Sequence, residues 1–318
     1  MNSYQMVKKA IEFSGPERVP LVFPGYFPPD IISLPYAEIE TQTSPKRTDE
    51  WGCVWESKAK TMGKVTYSPL SDWENINHYS FPTPREEHFR KIKRDVHQNK
   101  GKRYILGSVA FTLWERMHFL REFRNLLEDF YLHPPRLKVL ADKIMNFQLQ
   151  LIKMWGKIGA DGVSFSDDWG TNKGLFISPE HWRTLFKPRY TKLCDAAHAE
   201  GLHVFFHSDG KILEIIPDFI DCGVDVLEVA QPHLLGIEKV GRRFGGLICF
   251  YGAADKQTTL VSGTREDIIQ EVKTLVQSLG SFNGGFIAMG DTQDFHDLNM
   301  PPKNIKTMVE MFRTFGKY

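Results

Sequence analysis

No apolar run in this 318-residue chain comes near the ~18 residues needed to span a bilayer, so no membrane-spanning segment is expected. Cysteine is scarce. The four present, Cys53, Cys194, Cys222 and Cys249, show no CxxC spacing. That argues against a disulfide framework or a four-thiolate zinc site, and it points to a reduced, cytoplasmic protein whose cysteines act as small buried hydrophobes. An excess of one charge is also missing. Lys plus Arg is 40 and Asp plus Glu is 39, so neither nucleic acid nor an anionic membrane surface is an expected partner. No glycine-rich phosphate loop follows a strand-like run, which weakens a dinucleotide-binding reading. There is no internal repeat and no low-complexity linker. The N-terminal stretch MNSYQMVKKAIEF lacks the apolar centre of a signal peptide and reads as an amphipathic helix.

What remains is an ordinary globular composition, 42% hydrophobic and 25% charged, with a high aromatic share of 13% that suits a ring-lined pocket. Short β-rich runs begin near residues 19, 104, 162, 202, 225, 247 and 285, and helical patterns separate most of them. Alternation of this kind predicts a parallel sheet. With no phosphate loop, the closed form is preferred: a (β/α)8 TIM barrel, residues 1–318 as one domain, with an elaborated N-terminal region. Residues 28–50 show no clear period. Residues 51–73 read as a β-hairpin excursion, and the eighth strand is expected within 51–67 unless one of the segments read as helical is itself a strand. Ser178 before Pro179 predicts a helix start, and Thr264 with Asp267 resembles a capping box.

Active sites of such barrels sit at the C-terminal ends of the strands. Those ends read Tyr26, Asp167, Asp168, Trp169, His207, Asp209, Glu228, Gln231, Asp255 and Asp291. The stretch LHVFFHSDG (202–210) is the most informative. A buried strand ends there in His207 and Asp209, which are two apart and so point to one side of an extended chain. An imidazole and a carboxylate aimed at one point can bind a divalent metal or pass a proton. Each neighbour also has a structural reading. Asp167 could cap a loop turn, Asp255 could be an N-cap, and Gln231 could merely turn the chain. Glu228, inside a strand, must point into the barrel or pair with a buried cation.

Several segments carry a resemblance: DEWGCVW (49–55), SPLSDWENINHYSFPTP (68–84), WERMHFLREFRNLLEDFY (114–131), DDWGTNKGLFISPEHWRTLFKPRY (167–190), FHSDGKILEIIPDFIDCGVDVLE (206–228) and MPPKNIKTMVE (300–310). In order and over most of the chain, they resemble the uroporphyrinogen decarboxylase superfamily, in its decarboxylase-like branch with the cobalamin-dependent methyltransferases. The resemblance implies a (β/α)8 barrel. True uroporphyrinogen decarboxylases carry arginines near the N-terminus for a substrate rich in carboxylates. Residues 19–27 here hold none, which argues against tetrapyrrole decarboxylation. The methyltransferase branch implies zinc held by a His-x-Cys pair at this strand end and by a later Cys. His207 matches the histidine, Asp209 stands in the cysteine position, and no Cys follows Cys249.

The resemblance therefore implies a methyltransferase of a corrinoid-dependent (O-)demethylation system. Zinc or another divalent metal would be held by His207, Asp209 and Asp291 or His296, and methylcobalamin would come on a partner corrinoid protein. His207, Asp168 and Asp209 are the expected catalytic residues. Tyr26, Trp114, Trp169, Gln231 and Asp255 are the expected contacts to a small-molecule substrate, and a homodimer is the expected assembly. The alternative is a metal-free decarboxylase or lyase acting on a small carboxylated substrate. There Asp168 or Asp209 would protonate the carbanion left by CO₂, and Arg116 and Arg121 could replace the missing arginine clamp, although arginines at helix spacing are more often solvated or paired within the protein.

Overall fold

A computed structural model describes residues 1–36, 46–57, 63–290, 295 and 297–317. Eight strands pair in parallel: β1 (Leu21–Val22), β2 (Ile31–Leu34), β6 (Tyr104–Phe111), β7 (Gly162–Ser166), β8 (His203–His207), β9 (Val226–Val229), β10 (Cys249–Gly252) and β11 (Phe286–Met289). Their order, β1-β11-β10-β9-β8-β7-β6-β2, is that of a (β/α)8 barrel. The other three strands, β3 (Lys46–Thr48), β4 (Val54–Glu56) and β5 (Lys64–Tyr67), form a separate antiparallel sheet.

The excursion expected after residue 51 is thus present. The eighth barrel strand, however, is β2, not a strand within 51–67. It escaped notice because it is four residues long, IISL, between prolines, and no helix joins it to β1. Its partnership is long-range, with Ile31 opposite Tyr104.

The seam between β1 and β2 is closed by Asp30, which is 2% exposed. Its backbone N–H donates to the Leu21 carbonyl at 2.9 Å. Its carboxylate accepts from the Leu21 N–H at 2.7 Å, from Arg18 at 2.6 and 2.9 Å, and from the Ser3 hydroxyl at 2.6 Å. A buried carboxylate is tolerated because both oxygens are paired.

Alternation along the strands divides the core. On β8, Val204 and Phe206 face the surrounding helices, whereas Phe205 joins an interior cluster with Leu106, Val226, Cys249 and Ile287. The helix Ser3–Ile11 closes the bottom of the barrel, because its Val7, Ala10 and Ile11 belong to that same cluster. A larger side chain of this cluster, such as Val7 or Ile11, stabilises by roughly 1.5–3 kcal/mol when fully buried. All four cysteines are free and buried. The two anticipated helix starts are present. The Ser178 hydroxyl accepts from the His181 N–H, and Thr264 and Asp267 form a reciprocal capping box. Among the described residues, no helix is long and apolar enough to cross a membrane.

Candidate active site at the barrel mouth

The inward face of β8 carries His203, Phe205 and His207 from bottom to top. At the top level the strands are in register across four neighbours: Ser166 lies opposite His207, His207 opposite Glu228, and Glu228 opposite Tyr251. This row borders a cavity of about 450 Å³. Ser33, Ser164 and Ser166 give it hydroxyls, His207, Asp209, Glu228 and Lys256 give it charge, and Val229, Leu260, Met289, Phe295 and Met300 give it an apolar wall.

His207 sits between carboxylates. Its Nδ1 is 2.9 Å from Glu228 Oε1, and its Nε2 is 3.4 Å from Asp168 Oδ1 and 4.0 Å from Asp209 Oδ1. The loops after β7 and β8 are tied together to make this possible. The Asp209 N–H donates to Asp168 Oδ1 at 2.9 Å, the Trp169 N–H to Ser208 Oγ at 3.0 Å, and the Gly170 N–H to the Asp209 carbonyl at 3.1 Å. The loops cross so closely that a Cβ on Gly210, at φ +83°, would lie 2.2 Å from the Gly170 carbonyl carbon. Only glycine fits there. The Gly210 N–H then donates to Gln231 Oε1 at 2.8 Å, which ties the loop to the end of β9.

The electrostatics follow from this crowding. Burial pushes the His207 imidazole towards its neutral form, but Glu228 and Asp168 more than offset that and raise its pKa well above the ordinary value. Burial likewise pushes Glu228 and Asp168 up. Facing His207, with Lys256 nearby, both end below the usual carboxylate range. Asp209 goes the other way. Burial raises it, Asp168 and Glu228 add to the rise, and His207 and Lys256 do not cancel it.

Asp168, His207 and Asp209 offer ligand atoms that all lie within 4.8 Å of one another. Asp209 Oδ1 is enclosed and has no hydrogen-bond partner among the described residues. An enclosed, unpaired carboxylate oxygen facing an imidazole nitrogen and a second carboxylate is a donor set that fits a divalent cation. Two oxygens and one nitrogen form a harder set than the thiolates of a zinc–sulfur site.

Residues 49–315 match the family described as uroporphyrinogen decarboxylase (URO-D). The chain belongs to that family. All six segments that carried the resemblance lie inside this span. Curated relatives include a uroporphyrinogen decarboxylase of Psychromonas ingrahamii, 24% identical over 270 residues, which cover 79% of this chain and 71% of the relative. Another is from Geobacter sulfurreducens, 24% identical over 260 residues, covering 78% and 72%. Among solved structures, a methyltransferase from Methanosarcina mazei superposes with a TM-score of 0.65 at 18% identity, covering 99% of this chain and 86% of that one. At that identity the likeness is one of fold.

In this uroporphyrinogen decarboxylase-family barrel the other expected site residues scatter. Trp114 and Trp169 are fully buried, with ring centroids 5.1 Å apart, in an aromatic stack with Phe186. They support the end of β7 from behind and do not line the cavity. Tyr26, 42% exposed, sits in the turn after β1 and is also away from the lining. Asp255 is spent on its own loop, where Oδ1 accepts from the Gln257 and Thr258 N–H groups and from the Thr258 hydroxyl. Asp167 caps the helix Trp114–Arg121 by accepting from the Leu113 and Glu115 N–H groups and from the Tyr190 hydroxyl. Burial pushes Asp167 up to about 6 despite those bonds. Asp291 and His296 lie outside the described residues.

Of the two readings of Arg116 and Arg121, a substitute clamp or side chains paired within the protein, the structure shows the second. Arg116 pairs with Asp49 at 2.8 Å and lies over the Trp51 ring, and Arg121 pairs with Asp129 at 2.7 Å over Trp73. Both arginines are buried, so neither is presented to a ligand.

The site residues that the sequence reading did not single out include Ser33, Ser164, Ser166, Lys256 and Glu115. Serines two apart in the otherwise buried strand GVSFS are a readable sign of an inward polar face. Lys256 directly follows a strand exit. Glu115 gave no local signal. Its Oε2 is enclosed without a partner among the described residues, and burial, aided by Asp168 and Asp167, pushes its carboxyl up to about 9.

Proposed function

We propose that the protein is the methyltransferase of a corrinoid-dependent (O-)demethylation system. Methyl transfer would occur at the mouth of the barrel, with a corrinoid protein as partner and a small-molecule substrate in the cavity. The observation that carries the reading is the Asp168–His207–Asp209 cluster, whose donor atoms fall within 4.8 Å of one another. These three residues would hold zinc or another divalent ion. Such an ion supplies Lewis acidity to an acceptor or leaving group. The remaining work belongs to the chain. Asp168 orients His207 and, through the Asp209 N–H, the β8 loop. Gln231 fixes Gly210 and so the path of that loop. Met289, Phe295 and Met300 keep water from one wall. The same reading takes residues 1–318 as one domain, in a cytoplasmic homodimer.

A second reading has its own support in the names of the curated relatives, which are decarboxylases. In it Asp209, its carboxyl raised by burial, donates a proton to the carbanion left by CO₂ loss, and Asp168 orients His207. The two arginines paired within the protein weaken this reading. The fold shared with the Methanosarcina mazei protein leaves the reaction to be decided by the site.

Metal content decides between them. Protein purified without chelator should carry about one divalent ion per chain, and His207→Ala should carry none. Metal-free wild type that still releases CO₂ from a small carboxylate would move the assignment to the second reading.

A further inference from the structure

Glu228 is the one charged side chain of β9; Val226, Leu227 and Val229 beside it are buried. A carboxylate at such a position costs free energy unless it is paired. Its partner is His207, and the register explains why: Glu228 lies directly opposite His207 on the neighbouring strand, and both point into the barrel. The contact is to one ring nitrogen only. Nδ1 is 2.9 Å from Glu228 Oε1, whereas Nε2 faces Asp168 and Asp209 at 3.4 and 4.0 Å. Glu228 therefore stands behind the ring and the two aspartates in front of it.

We propose that Glu228 is a positioning residue. It accepts the Nδ1–H of His207, fixes the ring's rotation, and so aims Nε2 at Asp168 and Asp209, where a bound cation would take the place of the Nε2 proton. The inference rests on the metal reading above and adds a residue to it. A histidine that ligates a metal characteristically donates its other N–H to a carboxylate, which also makes the ligating nitrogen more basic. Glu228 supplies that carboxylate from a rigid strand, while both aspartates come from loops tied to each other. Freed of Glu228, the ring could turn and offer either nitrogen, and the donor set would have to be assembled at each binding event.

The test is a cobalt(II) titration of chelator-treated wild type, Glu228→Gln and Glu228→Ala. Unfolding midpoints of the metal-free proteins serve as the control for folding. A role in orientation predicts unchanged stoichiometry, with affinity weakened about 10-fold in Glu228→Gln, whose amide oxygen can still accept the N–H, and up to about 100-fold in Glu228→Ala. Wild-type affinity in both variants would overturn the proposal. Proton NMR of the imidazole N–H groups separates failure of this inference from failure of the metal reading. If wild type takes up no cobalt, the metal reading falls. A downfield His207 Nδ1–H resonance that disappears in Glu228→Ala would still support the positioning role, and a resonance unchanged in that variant would overturn it.

Discussion

Asp30 and Asp209 stand at opposite ends of the same barrel and are treated in opposite ways. Asp30, beneath the strands, receives four hydrogen bonds divided between its two oxygens, from Ser3, Leu21 and Arg18. Asp209, at the mouth, keeps one enclosed oxygen with no hydrogen-bond partner among the described residues, and burial, with Asp168 and Glu228 adding to it, raises its pKa. The histidines of β8 repeat the contrast. His203 at the bottom meets the Tyr104 hydroxyl at 2.9 Å and a distant Glu12 at 3.5 Å, and burial lowers its pKa. His207 at the top meets two carboxylates, and its pKa is raised. One end of the barrel spends its polar groups on closure. The other leaves one oxygen of Asp209 and one of Glu115 without a partner among the described residues, at a cost in stability that makes sense only if something else completes them.

Removing a carboxylate from each end sharpens this comparison. Asp30→Ala strips the Leu21 N–H, Ser3 and Arg18 of their shared partner and opens the β1–β2 seam. A loss of about 3 kcal/mol is expected in denaturant unfolding, tempered because Arg18 is partly exposed. Asp209→Asn in chelator-treated protein should do the reverse and stabilise by up to about 1 kcal/mol, because it removes an incompletely paired charge that faces two others. The same variant should lose divalent metal. If Asp209→Asn destabilises metal-free protein as Asp30→Ala does, the mouth is structural and the contrast collapses.

How much of this was legible depended on whether a feature was local. The strand at 202–206 could be read because a parallel strand buried on both faces is a continuous apolar run, and the polar residues that end it were visible as a break. Glu228 was legible as an anomaly, and both readings of it hold: it points into the barrel and it pairs with an imidazole. By contrast, β2 has only four residues and owes its place to β6, some seventy residues on. Trp114 and Trp169 looked like pocket residues, yet which face of a loop meets solvent is decided by helices that pack against it later in the chain. That Arg116 is paired is what its place on a helix favours, but its partner Asp49 lies 67 residues away in sequence, and no spacing rule links them. The chemistry of a strand end can be read from the chain itself, whereas the pairing of long side chains depends on the assembled fold.

Glu115 gives the most specific test of the contrast. It belongs to the mouth: Oε2 is enclosed without a partner among the described residues, and burial, with Asp168 and Asp167 adding to it and His207 and Arg116 opposing, pushes its carboxyl up to about 9. A carboxyl whose folded-state pKa lies above its unfolded one contributes stability that is complete below the unfolded value. That contribution is lost as pH rises through the folded one, because the unfolded chain ionises first. For Glu115 the window runs from its ordinary value of 4.5 up to about 9. Glu115→Gln does not titrate, so its stability relative to wild type should improve steadily across that window, by no more than about 1.4 kcal/mol per pH unit. Urea unfolding of both proteins at several pH values, with chelator present, reads the slope directly. Parallel curves would mean that Glu115 ionises normally and that the mouth is wetter than its enclosed oxygens imply. In that case the orphaned oxygen of Asp209 would no longer count as support for a bound cation.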